Sequence, residues 1–159
     1  MKEFSLESFA VMLAEKAVAL NLAMTPAMEA AAQHVERTAK AKFGEYQGNV
    51  GAFNEWQQLA ASTQTERVRQ GYTPNDPLLR SGDLRDSITH EVHGLEAVIG
   101  SDDEIMVYQE LGTERIPPRP VLGPAGIESG EMVAKLLGSA SVGWLIGSGP
   151  NAGEYSLSE

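Results

Sequence analysis

Three prolines in four positions, Pro117, Pro118 and Pro120, fix the local course of this chain more tightly than any other feature. A proline ring locks φ, removes a backbone donor and drives the residue before it out of the helical region. Residues 114–121 are therefore extended, and any strand there is an edge strand. Arg119, held between two prolines, is expected to point its guanidinium outward, suited to a carboxylate of a neighbour, with an intrachain ion pair as the equal alternative. Beyond Pro124 a helix is predicted over 124–137, burying Ile127, Val133, Leu136 and Leu137, with Gly138 as its stop.

Upstream, Ser5 can cap a helix whose apolar residues Leu6, Phe9, Leu13, Ala17 and Leu20 recur at helical spacing. Residues 21–24 are expected to break it. Thr25 then caps a second helix with Pro26 at its first position, where the missing N–H costs nothing. Met28, Ala32, Val35, Ala39 and Phe43 form its buried stripe, and Gly44 ends it. Residues 44–58, rich in Gly, Asn and aromatics, read as a long loop anchored by Trp56 and Leu59. Thr63 and Glu66 have capping-box spacing for a short helix ending near Gln70.

A short turn or helix over 81–87 leads into a strand with Ile88, His90 and Val92 on one face and Thr89, Glu91 and His93 on the other. A tight turn at His93-Gly94 and a return strand over 96–100 complete a β-hairpin. Ser101-Asp102-Asp103-Glu104 suits the start of a helix carrying Ile105, Tyr108 and Leu111, because acids there complement the helix dipole. Gly112 ends that helix. After Gly138 the chain is Gly/Ser-rich and reads as an extended tail, with one strand over 142–146. The expected architecture is one α+β domain over 1–138, with N-terminal helices in 1–43, the long loop 44–58 and core motifs in 59–138. A small antiparallel sheet, the hairpin plus edge strands, is packed by N-terminal, central and C-terminal helices, and 139–159 is the tail.

The net charge of −10 is unevenly placed. Residues 1–43 balance five basic against five acidic side chains, whereas 101–159 hold three against nine. Tight nucleic-acid binding needs the opposite sign, to release counterions from phosphate, so specific DNA or RNA binding is not expected. With no cysteine there is neither a disulfide nor a thiolate zinc site, which fits a reducing compartment. Met1-Lys2-Glu3-Phe4 lacks a basic-then-apolar leader, and no 18-residue apolar run is expected, so neither export nor a membrane span is anticipated.

Catalytic equipment is sparse. His90 and His93, three apart on a strand, fall on opposite faces and are poorly placed to share a metal, and His34 stands alone on a helix. Asp102-Asp103-Glu104 lacks the alternating ligands of a calcium loop. In Gly147-Ser148-Gly149-Pro150-Asn151-Ala152-Gly153 the spacing of a dinucleotide loop is wrong, and Pro150 lacks the N–H a phosphate would need. There is no Walker A lysine and no Gly-x-Ser-x-Gly elbow. The expectation is a non-enzyme without cofactor or metal.

Four motifs in order give the chain a family likeness over roughly 55–138. Trp56 and Leu59 form a Trp-x-x-Leu segment. Pro77-Leu78…Ser81-Gly82…Leu84…Ser87-Ile88 follows, then the strand end Val98-Ile99-Gly100 and Tyr108…Glu110-Leu111-Gly112-Thr113. Pro118-Arg119-Pro120-Val121-Leu122-Gly123-Pro124-Ala125 closes the series. In this wording and order the chain resembles the tail-completion, or neck, proteins of long-tailed bacteriophages (the virion morphogenesis or minor tail protein type). It departs from them in the 44–58 loop, in Val121 where an aromatic is usual, in a tightened Tyr108 spacing and in the tail.

The resemblance implies a structural virion protein at the neck, assembled in the host cytoplasm as a homo-oligomeric ring of six copies. That ring would join a head-side connector or head-closure protein to a tail terminator or tail-tube protein, with DNA passing through. The family motif residues are Trp56, Leu59, Gly82, Leu84, Ile88, Tyr108, Leu111, Gly112, Thr113, Pro118, Pro120 and Leu122. Of these, Leu84, Ile88, Tyr108, Leu111 and Leu122 are expected in the core, with Gly82 and Gly112 as backbone joints. Arg85 and Arg119 are the candidate inter-subunit contacts. The 44–58 loop, the proline segment and the tail are expected to reach neighbouring rings, and the acidic surface to line the channel. A tail terminator or head-closure ring is the near alternative, and a small prophage-encoded enzyme or regulator the distant one.

Overall fold

The computed structural model describes residues 5–145, which form a mixed α+β fold. Its elements are α1 (Leu6–Ala41), α2 (Ala61–Arg69), α3 (Asp83–Asp86), β1 (Ile88–His93), β2 (Glu96–Ser101), α4 (Glu104–Leu111) and α5 (Leu122–Leu145).

The two expected N-terminal helices are one. α1 runs 36 residues, about 54 Å, with Pro26 inside it. Ser5 caps it as expected, its hydroxyl accepting from the Ser8 N–H at 3.1 Å. Thr25 is not a cap: its hydroxyl donates to the Asn21 carbonyl one turn back, at 2.8 Å. A mid-helix proline costs about 3 kcal/mol, yet Leu22, Ala23 and Met24 are strong helix formers, so no competing local structure breaks the run. Packing then decides the matter. Met24 and Ala27, on either side of the proline, are buried against Ala140 of α5, with Leu20 and Leu137 beside them.

An uninterrupted α1 also amends the expectation of no long apolar run. By length and composition alone it is long enough to cross a membrane, although it also serves as a packing helix of the domain.

α5 starts two residues earlier than expected and continues through Gly138 to Leu145. A lone glycine costs a helix only about 1 kcal/mol, and Leu136 and Ala140 bury themselves on either side of it. The predicted strand is therefore helical over 142–145, and the tail does not begin at 139. The remaining tail, 146–159, lies outside the described residues. α5 runs antiparallel to α1: Lys42 pairs with Glu128 at 2.7 Å near one end, and Met24 meets the Ala140 turn at the other.

The β1–β2 hairpin forms as expected, paired from Ile88↔Ser101 to His93↔Glu96, but it turns at Gly94-Leu95, one residue later than expected, with Gly94 at φ 63°. Ile88 is fully buried, and His90 and Val92 share its α1-facing side. Among the described residues the sheet has these two strands alone. Among the described residues the anticipated edge strands do not form: contrary to the expected extension from 114, residues 114–116 make a turn closed by the Thr113 N–H on the Ile116 carbonyl, 117–120 belong to no strand, and Val50↔Phe53 is an isolated bridge. The capping box at Thr63 and Glu66 does not form either. α2 starts three residues earlier, after Ala60, with no side-chain cap.

The main core gathers Ala39, Phe43, Trp56, Ile88, Met106, Val121 and Ala125. Tyr46, Leu78, Leu79, Leu84, Ile99 and Leu122 pack around it. The Trp56, Pro77–Ile88, Val98–Gly100 and Pro118–Ala125 segments thus contribute to one cluster, and the Tyr108–Thr113 segment does not.

Candidate functional site

The residues the motifs single out meet where α4, the proline segment and the start of α5 converge. Trp56 is 4% exposed, and its indole Nε1–H donates to the Pro120 carbonyl at 3.2 Å. Beside it, Arg119 Nη2 donates to the Gln57 carbonyl at 3.0 Å, and the Arg119 backbone N–H to the Gln109 carbonyl at 2.6 Å. The Trp56 segment and the proline segment are therefore tied twice.

Arg119 corrects the outward orientation expected of it. It is 5% exposed and faces the body, its backbone N–H tied to the Gln109 carbonyl and its guanidinium to the Gln57 carbonyl. Burial pushes its guanidinium pKa below the usual arginine value, opposed by Tyr46 nearby. Its Nε is buried with no hydrogen-bond partner. Arg85, the other candidate contact, stays exposed and pairs with Asp86 at 2.8 Å.

Glu110 holds the centre of the arrangement. Its Oε2 accepts from the Val121 and Leu122 N–H groups at 2.7 and 3.2 Å, and its Oε1 from Gly123 at 3.0 Å. These are amides at the start of α5, which have no partner within the helix. A carboxylate at that end also complements the helix dipole. Glu110 and the Val121–Gly123 amides lie in two separate motifs, so one motif supplies the cap for the helix that the other begins. Glu110 stands in the quoted motif but is absent from the expected site set. The clue was an acid followed, about eleven residues on, by a helix start with no capping side chain of its own.

Between them the chain reverses. Gly112, at φ 74°, closes α4, and a Cβ there would lie 2.9 Å from both Pro118 N and Pro118 Cδ. Thr113 shapes the turn, its hydroxyl accepting from the Arg115 and Ile116 N–H groups at 3.2 and 3.1 Å. Pro118 is exposed and Pro120 buried. Gly82, at φ 100°, stands in the left-handed region before α3, as a backbone joint requires.

Of the expected core residues, Ile88 is fully buried, and Leu84, Leu122 and Leu59 are half-buried. Tyr108 and Leu111 are corrections: they are 48% and 74% exposed, and Met106 alone of α4 is buried. α4 is only two turns long and touches the core through one residue, so its Ile105, Tyr108 and Leu111 stripe faces outward.

The 44–58 loop and the proline segment are likewise not free arms. Val50 and Phe53 exchange both backbone hydrogen bonds, the Trp56 N–H donates to Gln47, and the Phe53 ring lies over Gly123. Tyr46 donates to Asn75 and accepts from the Leu59 N–H. Aromatic burial gains more than extension into solvent, so the loop folds back. Arg67 escaped the sequence reading altogether. It is buried and donates to the Asp76 and Leu79 carbonyls at 2.6 and 2.7 Å, bracing the link before α3. A lone arginine on a short helix carries no sequence mark of such a role.

A second polar cluster joins the hairpin to α1. His90 Nε2 lies 2.9 Å from Glu29 Oε1, Nδ1 bonds Glu36, and Lys40 completes the group on Glu36. Glu29 and Glu36, seven apart, sit two turns from each other on one face of α1, a spacing that could have been read. Hydrogen bonds to Glu29 and then Glu36 raise the His90 pKa against the opposing effect of burial. For Glu36, burial acts upwards but hydrogen bonds from Lys40 and His90 outweigh it, and its pKa is lowered.

The signs give a testable window. A raised histidine contributes stability that is full below its unfolded pKa, about 6.5, and is lost as pH rises through the folded value. A lowered glutamate contributes stability above about 4.5 that is lost as pH falls through its folded value. Thermal melts should therefore show stability falling from about pH 6.5 upward, a slope that His90→Gln removes. An unchanged slope in the variant would refute the assignment. His93, by contrast, is well exposed.

No protein-family model, no curated protein and no solved structure matches the chain. Among the described residues no group of three or more His, Asp or Glu side chains is placed to hold a metal ion. What the arrangement does is hold backbone: Trp56, Glu110, Arg119 and Arg67 each bond main-chain atoms of a distant segment.

Proposed function

We propose that this chain is a structural protein of a tailed-bacteriophage virion, forming a ring at the head–tail junction that completes the tail and joins it to the head connector. The observation that carries the reading is the ordered motif series from Trp56 to Ala125, whose members meet in one braced unit instead of lying scattered. A collar component works by shape and contact. A rigid hub with an apolar stripe on its outer surface, Ile105, Tyr108 and Leu111 of α4, suits that task. In this reading the α4 stripe is a contact with a neighbour in the neck, and Arg119 supports it from within.

The test is localisation and assembly. Gold-labelled chain should mark the portal-to-tail joint of finished particles, and particles made without it should accumulate as separate filled heads and tails. Label elsewhere on the particle, or none on it, sinks the proposal. Capture on isolated tails as against filled heads separates tail completion from a head-closure role.

The acidic surface has a place in the same reading, lining the channel so that passing DNA does not adhere. Asp103 is engaged as the cap of α4, its carboxylate accepting from the Ile105 N–H at 2.9 Å, so it is a poor probe. Asp102 and Glu104 are exposed. Asp102→Asn with Glu104→Gln should slow DNA ejection from reconstituted particles at low ionic strength. Unchanged ejection would remove these residues from the channel wall.

A further inference from the structure

The β1–β2 hairpin is held to the body unequally along its length. At its base Ile88 is fully buried in the main core, and Ile99 packs against the same cluster. Towards the tip the apolar contacts thin out. Val92 and Ala97 are half-buried, whereas Leu95 and Val98 stand exposed. The tip itself rests beside the Asn21 side chain of α1 through Gly94. Among the described residues His90 alone makes side-chain hydrogen bonds between the hairpin and α1. Its Nε2 lies 2.9 Å from Glu29 and its Nδ1 bonds Glu36, so two carboxylates of α1 grip one ring.

We propose that the hairpin beyond Ile88 is a pH-gated flap, clasped to α1 while His90 is an imidazolium and lifting from it, with the rest of the domain still folded, once the ring is neutral. The chemistry of the ring imposes the gate. A neutral imidazole has one N–H and one lone pair, so it donates to one carboxylate and turns its lone pair on the other. Only the doubly protonated ring satisfies both. Loss of the proton removes a charge-assisted hydrogen bond and sets a carboxylate against a lone pair, at a side chain that is only 16% exposed.

The released acceptors need nothing from the hairpin. Glu36 keeps Lys40, one turn along α1, and Glu29 is 58% exposed and takes up water. The charges facing His90 are therefore Glu29, Glu36 and Lys40 of α1, with Asp86 of α3 acting on Lys40 from behind. Its cross-strand neighbour Ile99 is uncharged, and Glu91, His93 and Glu96 project from the opposite face of the hairpin. The base stays in place because Ile88 and Ile99 belong to the core, and a Ser87–Ser101 hydroxyl bond ties the two strands there. Since the ring gives up its proton on opening, the open population is flat below about pH 6.5, the ordinary histidine value. Above that it rises up to about tenfold per pH unit, and it levels off beyond the raised value of the clasped ring.

The chain has no cysteine, so a pair of spin labels on the full chain tests this cleanly. Leu95→Cys marks the hairpin tip, and Ser139→Cys marks the α5 turn that packs on Met24; both positions are exposed. Label-to-label distances are measured from about pH 5.5 to about pH 9, beside an NMR titration of the His90 ring. One distance should dominate at the acid end. A second should grow with pH in step with the ring, while near-UV circular dichroism stays native. His90→Gln has no proton to lose there and should show one mixture of distances at every pH. Glu29→Gln leaves the ring a single carboxylate and should move the transition to lower pH.

Distances that stay the same across that range while the His90 ring titrates overturn the proposal. So does a pH response that survives His90→Gln, since another group would then be the gate. Near-UV signal lost in step with the second distance also overturns it, because the histidine would be holding the whole domain and not a flap. Should His90→Gln fail to fold, Glu29→Gln decides alone: a transition at the parent's pH removes Glu29 from the clasp, and the two-carboxylate gate falls with it.

Discussion

Trp56→Ala is expected to lower stability by about 3–5 kcal/mol, the cost of removing a large aromatic from a packed core. For a domain of this size that moves the melting midpoint by roughly 10 °C or more. The effect should be large because Trp56 acts in two ways at once. Its ring fills the cluster between Phe43, Ile88 and Val121, and its indole N–H satisfies the buried Pro120 carbonyl. Trp56→Phe separates the two. Most of the apolar area remains while the carbonyl loses its donor, and an orphaned buried acceptor costs about 1–3 kcal/mol. The alanine variant keeps the backbone N–H bond from residue 56 to Gln47 but loses the ring that anchors the 44–58 loop in the core, so the loop should loosen. Hydrogen exchange should then accelerate at Val50 and Phe53 as well as near Pro120. If Trp56→Ala melts within 2 °C or so of the parent, the hub is not the keystone of this fold.

Periodicity and punctuation made the hairpin, the start of α1 and the existence of α4 and α5 readable from residues alone. Alternation placed Ile88, His90 and Val92 on one face, and the packing on α1 agrees. Punctuation failed where burial was at stake. Pro26 and Gly138 are local stop signals worth about 3 and 1 kcal/mol, and the α1–α5 seam outweighs both. Tyr108 and Leu111 have core composition, yet a helix of two turns cannot bury two faces, and the core took Met106.

The site was legible as a set of residues and not as a geometry. Nothing in the spacing of Arg119 revealed that it turns inward, or that its partner is a backbone carbonyl. Side chains that bond the main chain of a distant segment, such as Arg67 and Glu110, leave no pattern in the residues they hold, because every residue has a carbonyl and nearly every one an amide.

Glu110 offers the sharpest test of how the motifs cooperate. Glu110→Ala strips the acceptor from three amides at once, those of Val121, Leu122 and Gly123. Loss of a helix cap costs about 0.5–2 kcal/mol, and loss of a carboxylate from the positive end of the dipole adds up to about 2. A total of about 0.5–4 kcal/mol is expected, or roughly 1–16 °C in the melting midpoint. Glu110→Gln keeps the shape and one acceptor oxygen but loses the charge, so it should fall between parent and alanine. Glu110→Asp is shorter by a methylene and should behave like alanine if reach across to α5 is what matters. The location of the damage is as informative as its size. Amide exchange should quicken first at residues 121–123 and spread to Arg119 and Trp56, whose hydrogen bonds depend on that turn staying in place. At the far end of α5, Ala140 is held by Met24 and Ala27 and should keep its protection until global unfolding. Uniform acceleration along the whole of α5 would mean that the carboxylate stabilises the domain as a whole, and the picture of one motif capping the helix of another would have to be given up.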